Sequence, residues 1–240
     1  PATQYFFQRW IGAQIVVADR AHEAEGIWFS RGVSRFVAMR TLARAGFMKA
    51  TELRDEVESE QQAALASPLA NRSNSDLAAL VTPESRSVLA ARGFLYAAHV
   101  DAFVREKSKG AHGIEHVVRK LLGMKADGRF LTKAQWLEAV ASEAGAKDDD
   151  SFDAIIRDGK MPNLPAKTFG ACLAPQMGSY SHWDTGYDSV ASFASGKVEG
   201  VEASSAAATA GLKDGDYLDG ATLKSERGAT TNTVTVVRNG

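Results

Sequence analysis

Apolar residues recur every three or four positions through the first 160 residues, the spacing that gathers them on one face of a helix. From Trp28 the set Phe29, Val33, Phe36, Val37, Arg40 and Ala43 keeps this spacing, and Gly46 is placed to end the helix. Thr51 is a candidate cap for a second helix, in which Leu53, Val57 and Glu60-Gln61 form a thin stripe beneath a charged outer face. Positions 67–75, rich in Ser and Asn, read as a loop. Pro83-Glu84 fits the first turn of a long helix reaching about Lys107. Leu89, Gly93, Tyr96, Ala97, Val100 and Val104 line one face of it, which predicts burial. Ile114, Val117, Val118, Leu121 and Leu122 mark another helix, and Thr132 with Gln135 makes a capping box ahead of Trp136, Leu137 and Val140. Asp148-Asp149-Asp150 precedes Phe152, Ile155 and Ile156; without the spaced ligands and glycine of a calcium loop, it reads as an acidic helix start that complements the dipole.

The pattern changes at Gly159-Lys160-Met161-Pro162-Asn163-Leu164-Pro165, which breaks helix. Beyond it Gly, Ser, Thr and Val dominate, Thr233-Val234-Thr235-Val236-Val237 alternates as a strand, and positions 197–201 are a second strand candidate. These shifts predict a helical domain over 1–160 and a small β-rich domain over 165–240.

The charge balance narrows the partners. With 28 Lys and Arg against 29 Asp and Glu the net charge is -1, so no global field favours nucleic acid or an anionic membrane. No run reaches the 18 apolar residues of a membrane span, and no signal peptide is present. The opening Pro-Ala-Thr, followed by core-like Tyr5-Phe6-Phe7, reads as a cut point inside a larger protein. A single cysteine excludes an intrachain disulfide and a multi-cysteine zinc site. Cys172 sits among apolar neighbours, where a thiol stays protonated and inert. No G-x-S-x-G, P-loop or dinucleotide fingerprint occurs.

Ala210-Gly211-Leu212-Lys213-Asp214-Gly215-Asp216-Tyr217-Leu218, preceded by Ser204-Ser205-Ala206-Ala207, resembles the small-residue helix and A-G-L-x-x-G-D turn of bacterial PDZ domains. The resemblance implies a loop whose backbone N–H groups hold a peptide carboxylate, followed by a strand that pairs with the peptide. Thr185, Gly186, Tyr187 and Asp188 occupy that loop. The competing expectation is that the tail packs on the helical domain, with Tyr187 as a core residue.

Gln4-Tyr5-Phe6-Phe7-Gln8-Arg9-Trp10 is similar to the H-E-x-x-H-x-W zinc helix of glycyl-aminopeptidase-type gluzincins, family sixty-one of the metallopeptidases. Trp28-Phe29-Ser30-Arg31-Gly32-Val33-Ser34-Arg35-Phe36 resembles their W-x-x-E-G-x-x-x-Y/F segment, and Ala90-Ala91-Arg92-Gly93 their Y-x-K-G segment. The family order, a thermolysin-like helical lobe followed by a PDZ domain, spans essentially the whole chain; its preceding β domain is an expected missing partner. Carried over residue by residue, the resemblance puts the two zinc histidines on Gln4 and Gln8, the general base on Tyr5, the third ligand on Arg31 and the oxyanion tyrosine on Ala90. Catalytic zinc needs imidazole and carboxylate donors, and a fixed guanidinium repels it. The implied activity is therefore that of a pseudopeptidase without metal or cofactor, retaining peptide or protein binding. An exported location, periplasmic or secreted, is implied by the resemblance alone.

Three further readings stand beside this one. Glu25-Gly26 offers another register for the E-G pair and restores one carboxylate. Gln4 and Gln8, one helical turn apart, are placed to hydrogen-bond Arg31 in the vacated site. His112-Gly113-Ile114-Glu115-His116 matches the inverted zincin pattern H-x-x-E-H, which makes His112, Glu115 and His116 the displaced metal site of an alternative, active aminopeptidase. His22, His99 and His182 stand alone and read as surface or satisfied core histidines.

Overall fold

The computed structural model describes residues 8–18, 24–124, 130–170, 173, 176, 184–222 and 233–238. In chain order its elements are β1 (Val16–Val17), α1 (Ser34–Arg44), α2 (Ala50–Leu65), α3 (Asn74–Leu80), α4 (Pro83–Lys107), α5 (Ile114–Met124), β2 (Phe130–Leu131), α6 (Lys133–Ala144), α7 (Asp149–Phe152), α8 (Ser189–Ser195), α9 (Ala206–Thr209), β3 (Tyr217–Thr222) and β4 (Thr233–Val237). Three stretches, Gln8–Gly12, Trp28–Val33 and Asp153–Arg157, wind with the wider π-helical turn, and the second runs without a break into α1. The chain is mostly helical with two two-stranded sheets: β1 pairs parallel with β2, and β3 pairs antiparallel with β4 around an irregularity between Leu218 and Gly220.

The long helix forms where the sequence predicts it. Thr82 caps α4 by accepting the Ser85 N–H at 3.0 Å, and Pro83 occupies the first turn. From Val88 to Val104 nearly every side chain is buried, on all faces, because other helices surround it. Thr132 caps α6 through the expected box with Gln135, and Gly46 and Gly145 end their helices at positive φ. The cap of α2 is Lys49 rather than Thr51: the Lys49 N–H donates to Glu52 Oε2 at 2.7 Å, an exchange that a neighbouring threonine does not displace.

Two glycines decide how the helical body closes. A Cβ on Gly93 would lie 1.9 Å from the Trp28 carbonyl oxygen, and one on Gly32 would lie 2.4 Å from the carbonyl oxygen of Ala90. The Trp28–Val33 segment therefore crosses α4 backbone against backbone, which only glycine permits. Around the crossing Trp28 meets Phe29, Tyr96, Trp136 and Phe152 edge-on at centroid distances of 5.4–5.9 Å. Burying each such ring contributes on the order of 1.5–3 kcal/mol.

The tail differs from expectation. Its described residues form two short helices and one hairpin, and positions 197–201 contribute one bridge, Lys197 to Tyr217, with Val198 N–H donating to the Asp216 carbonyl at 2.8 Å. Directly after the Thr185–Asp188 loop, where the PDZ resemblance implies a strand, the chain forms helix α8. The cause is local: Asp188 accepts hydrogen bonds from the N–H groups of Val190 and Ala191 at 3.0 and 3.1 Å and so nucleates the helix as its N-cap.

Candidate functional site

A cleft of about 370 Å³ lies where the turn at 67–72 faces the loop at 184–189. Pro68, Asn71 and Arg72 form one wall; Asp184, Thr185, Tyr187 and Ser189 form the other.

The first wall is held from beneath. Ser67 donates to Glu84 Oε1 at 2.6 Å and accepts the Leu69 N–H at 3.1 Å, while Leu69 inserts into an apolar cluster with Ile27, Leu77, Val88 and Leu89. Arg92, only 2% exposed, reaches up from α4 and donates to the Ala70 carbonyl at 2.7 Å and to Asn74 Oδ1 at 2.6 Å. No carboxylate pairs with it among the described residues, and burial lowers its pKa to about 10. Its plane lies against Gly159, where a Cβ would come within 2.3 Å of the guanidinium carbon. A charged side chain is thus spent on fixing the backbone of a surface turn.

The second wall is built from its own acids. Asp184 Oδ1 accepts the Gly186 N–H at 2.9 Å, Thr185 donates to the Tyr187 carbonyl at 3.0 Å, and the Gly186 carbonyl accepts from Ser205 and from the Glu202 N–H. Gly186 has φ +68° and no room for a side chain beside Ser205. Tyr187 is buried with Val198 and Ala207, yet its hydroxyl has no hydrogen-bond partner among the described residues; burial pushes its pKa up. Asp188 joins the walls through Arg72, whose Nη2 stands 2.6 Å from Oδ1.

The expected site residues that are described fall in two places. Thr185 and Tyr187 line the cleft, whereas Gly186 and Asp188 support it from behind. Several of the backbone donors there are taken up inside the chain: Gly186 N–H binds Asp184, Asp188 N–H binds the Glu199 carbonyl, and the α8 N–H groups of Val190 and Ala191 bind Asp188. Gln4 and Tyr5 lie outside the described residues, as do the Gln8 side chain, Cys172, His22 and His182. Arg31 is exposed beside the Gly32 crossing, and its guanidinium makes no hydrogen bond or ion pair among the described residues. Ala90 is half-buried and packs with its carbonyl against Gly32. The crossing thus brings together the two segments, 28–36 and 90–93, that carry the peptidase resemblance.

The H-x-x-E-H residues are committed elsewhere. The rings of His112 and His116 stack at 4.7 Å; His116 Nδ1 accepts the Gly113 N–H at 3.1 Å, and His112 Nδ1 lies 2.8 Å from Glu143. Glu115 turns to Arg44 at 2.6 Å, and although burial opposes it, backbone N–H and the two arginines Arg44 and Arg40 hold its carboxyl below the ordinary range. Among the described residues no group of three His, Cys, Asp or Glu is arranged to hold a metal ion. The residue that organises this corner escaped the sequence reading: buried Asp101 accepts the Ile114 N–H at 3.1 Å, starting α5, and pairs with Arg40 and Arg105. Its signal was a lone acid on an otherwise apolar helix face. His99 is likewise partnered, at 3.1 Å from Asp148, which also accepts from Tyr96; Tyr96 in turn accepts from the Trp136 indole N–H at 3.1 Å.

No helix among the described residues is long and apolar enough to cross a membrane. No family model matches the chain, and no curated protein matches it.

Proposed function

We propose that this chain is a non-catalytic, polypeptide-binding protein on a peptidase-like helical framework, and that it engages a polypeptide in the cleft between the 67–72 turn and the 184–189 loop. The observation that carries this reading is the cleft itself: two residues of the sequence-derived binding loop, Thr185 and Tyr187, line it together with Asn71 and Arg72. The chemistry at Gln4, Tyr5, Gln8, Arg31 and Ala90 supports the non-catalytic half of the reading, because none of these side chains supplies imidazole or carboxylate.

Nuclear magnetic resonance titration of the labelled chain with mixed-sequence peptides tests it. Shift changes grouped on 68–72 and 184–189 are expected. Their absence from both segments, or stoichiometric zinc in protein purified without chelators, overturns the proposal.

A further inference from the structure

Helix α2 docks on α1 and α4 through a narrow stripe. Leu53, Val57, Glu60 and Ala64 follow one another at helical spacing along its inner face, while Arg54, Asp55, Glu58 and Ser59 stand exposed on the other. One position of the stripe is thus an acid, and Glu60 is 3% exposed. Its partner is Arg35 of α1, whose guanidinium is shared: one terminal nitrogen meets Glu60, and the other donates to Glu56 Oε2 at 2.6 Å. Glu56 lies one turn before Glu60 on the same helix, so two carboxylates compete for a single cation. Arg35 and Glu56 are the charged groups that act on Glu60 among the described residues.

A carboxyl so placed favours its neutral form. Ionised, it sets two negative charges against one positive, and one of the two is cut off from water. Burial is the largest effect and pushes the Glu60 carboxyl up to about 7; Arg35 opposes it and Glu56 adds to it. Lifted from the body, the same carboxyl is solvated and returns to its ordinary value of 4.5. Releasing the helix and releasing the proton are therefore coupled. A stripe this thin also costs less to open than α4, which is buried on all faces. We propose that α2 is a proton-gated helix: it stays docked while Glu60 is protonated, and loss of the proton lets it open as a unit, ahead of the rest of the body, uncovering the apolar surface beneath it.

Hydrogen exchange of the full chain tests this, with the amides of α2 read against those of α6 at about pH 5 and about pH 7 and corrected for their intrinsic rates. Over this interval the opening constant of α2 is expected to rise about fortyfold. At the upper pH α2 should open more often than α6, and with little dependence on urea, because a local opening exposes little surface. Glu60→Gln keeps the shape of the protonated side chain, so it should fold and hold α2 closed at both pH values. If α2 and α6 share one opening constant at the upper pH, Glu60 acts on global stability alone and the gate is wrong. A rise that persists in Glu60→Gln overturns it equally.

Discussion

The helical body and the tail solve the same problem by different means. In the body, aromatic rings around Trp28 fill the interior, and charged groups such as Glu60, Arg92 and Asp101 are buried with partners. In the tail the described core is Tyr187, Val198 and Ala207 with a few half-buried neighbours, and order comes from caps and turns: Asp188 starts α8, Ser205 starts α9, and Asp216 accepts from Lys213 N–H and pairs with the exposed Arg238. A large apolar interior orders the chain by packing; a small one supplies less, so the tail satisfies its backbone with short polar side chains and pairs its buried Asp216 with Arg238. The cleft forms at the junction, with one wall anchored on the apolar cluster around Leu69 and the other held by hydrogen bonds within its own loop.

The sharpest way to break the body is to separate its crossing backbones. Gly93→Ala places a methyl group against the Trp28 carbonyl, with no flexible side chain to yield, and should cost about 3 kcal/mol or leave the chain unfolded. Urea denaturation measures this; an unchanged midpoint would mean that the two segments do not touch. The second effect concerns a buried charge. Glu60 is 3% exposed, and burial pushes its carboxyl up to about 7 despite Arg35. The folded state thus holds a proton that the unfolded chain releases near 4.5, so stability falls as pH rises between these values, by about 3 kcal/mol. Glu60→Gln should flatten that slope, and identical slopes in the two proteins would refute the assignment.

The tail responds on a smaller scale. Asp188→Ala removes a helix cap and should cost about 1 kcal/mol. Arg72→Ala removes only a bridge between half-exposed groups and should cost about 0.5 kcal/mol. Hydrogen exchange at Val198 reads both; equal losses would show that the ion pair, and not the cap, orders this wall.

Much of this was legible along the chain. Periodicity located α1, α4, α5 and α6, and the signatures at Pro83, Thr132 and Gly46 fall where their chemistry demands. The strand expected after Asp188 failed because a single aspartate cap outweighed a resemblance. In the 185–188 loop the sequence carried no sign that the N–H groups of Gly186 and Asp188 are held by Asp184 and by the Glu199 carbonyl, because Glu199 is brought there by the fold.

What the sequence determined by itself is the longer helices α1, α4, α5 and α6 and the caps and breakers at Pro83, Thr132 and Gly46, since these act over a few residues and need no distant partner. Tertiary structure alone decided the rest: that Gly32 and Gly93 meet, that Asp101 starts a helix 13 positions away, and that Arg72 finds Asp188 across 116 positions. Such meetings depend on how the whole interior packs, and no local pattern encodes which surface side chains that packing leaves face to face across a cleft.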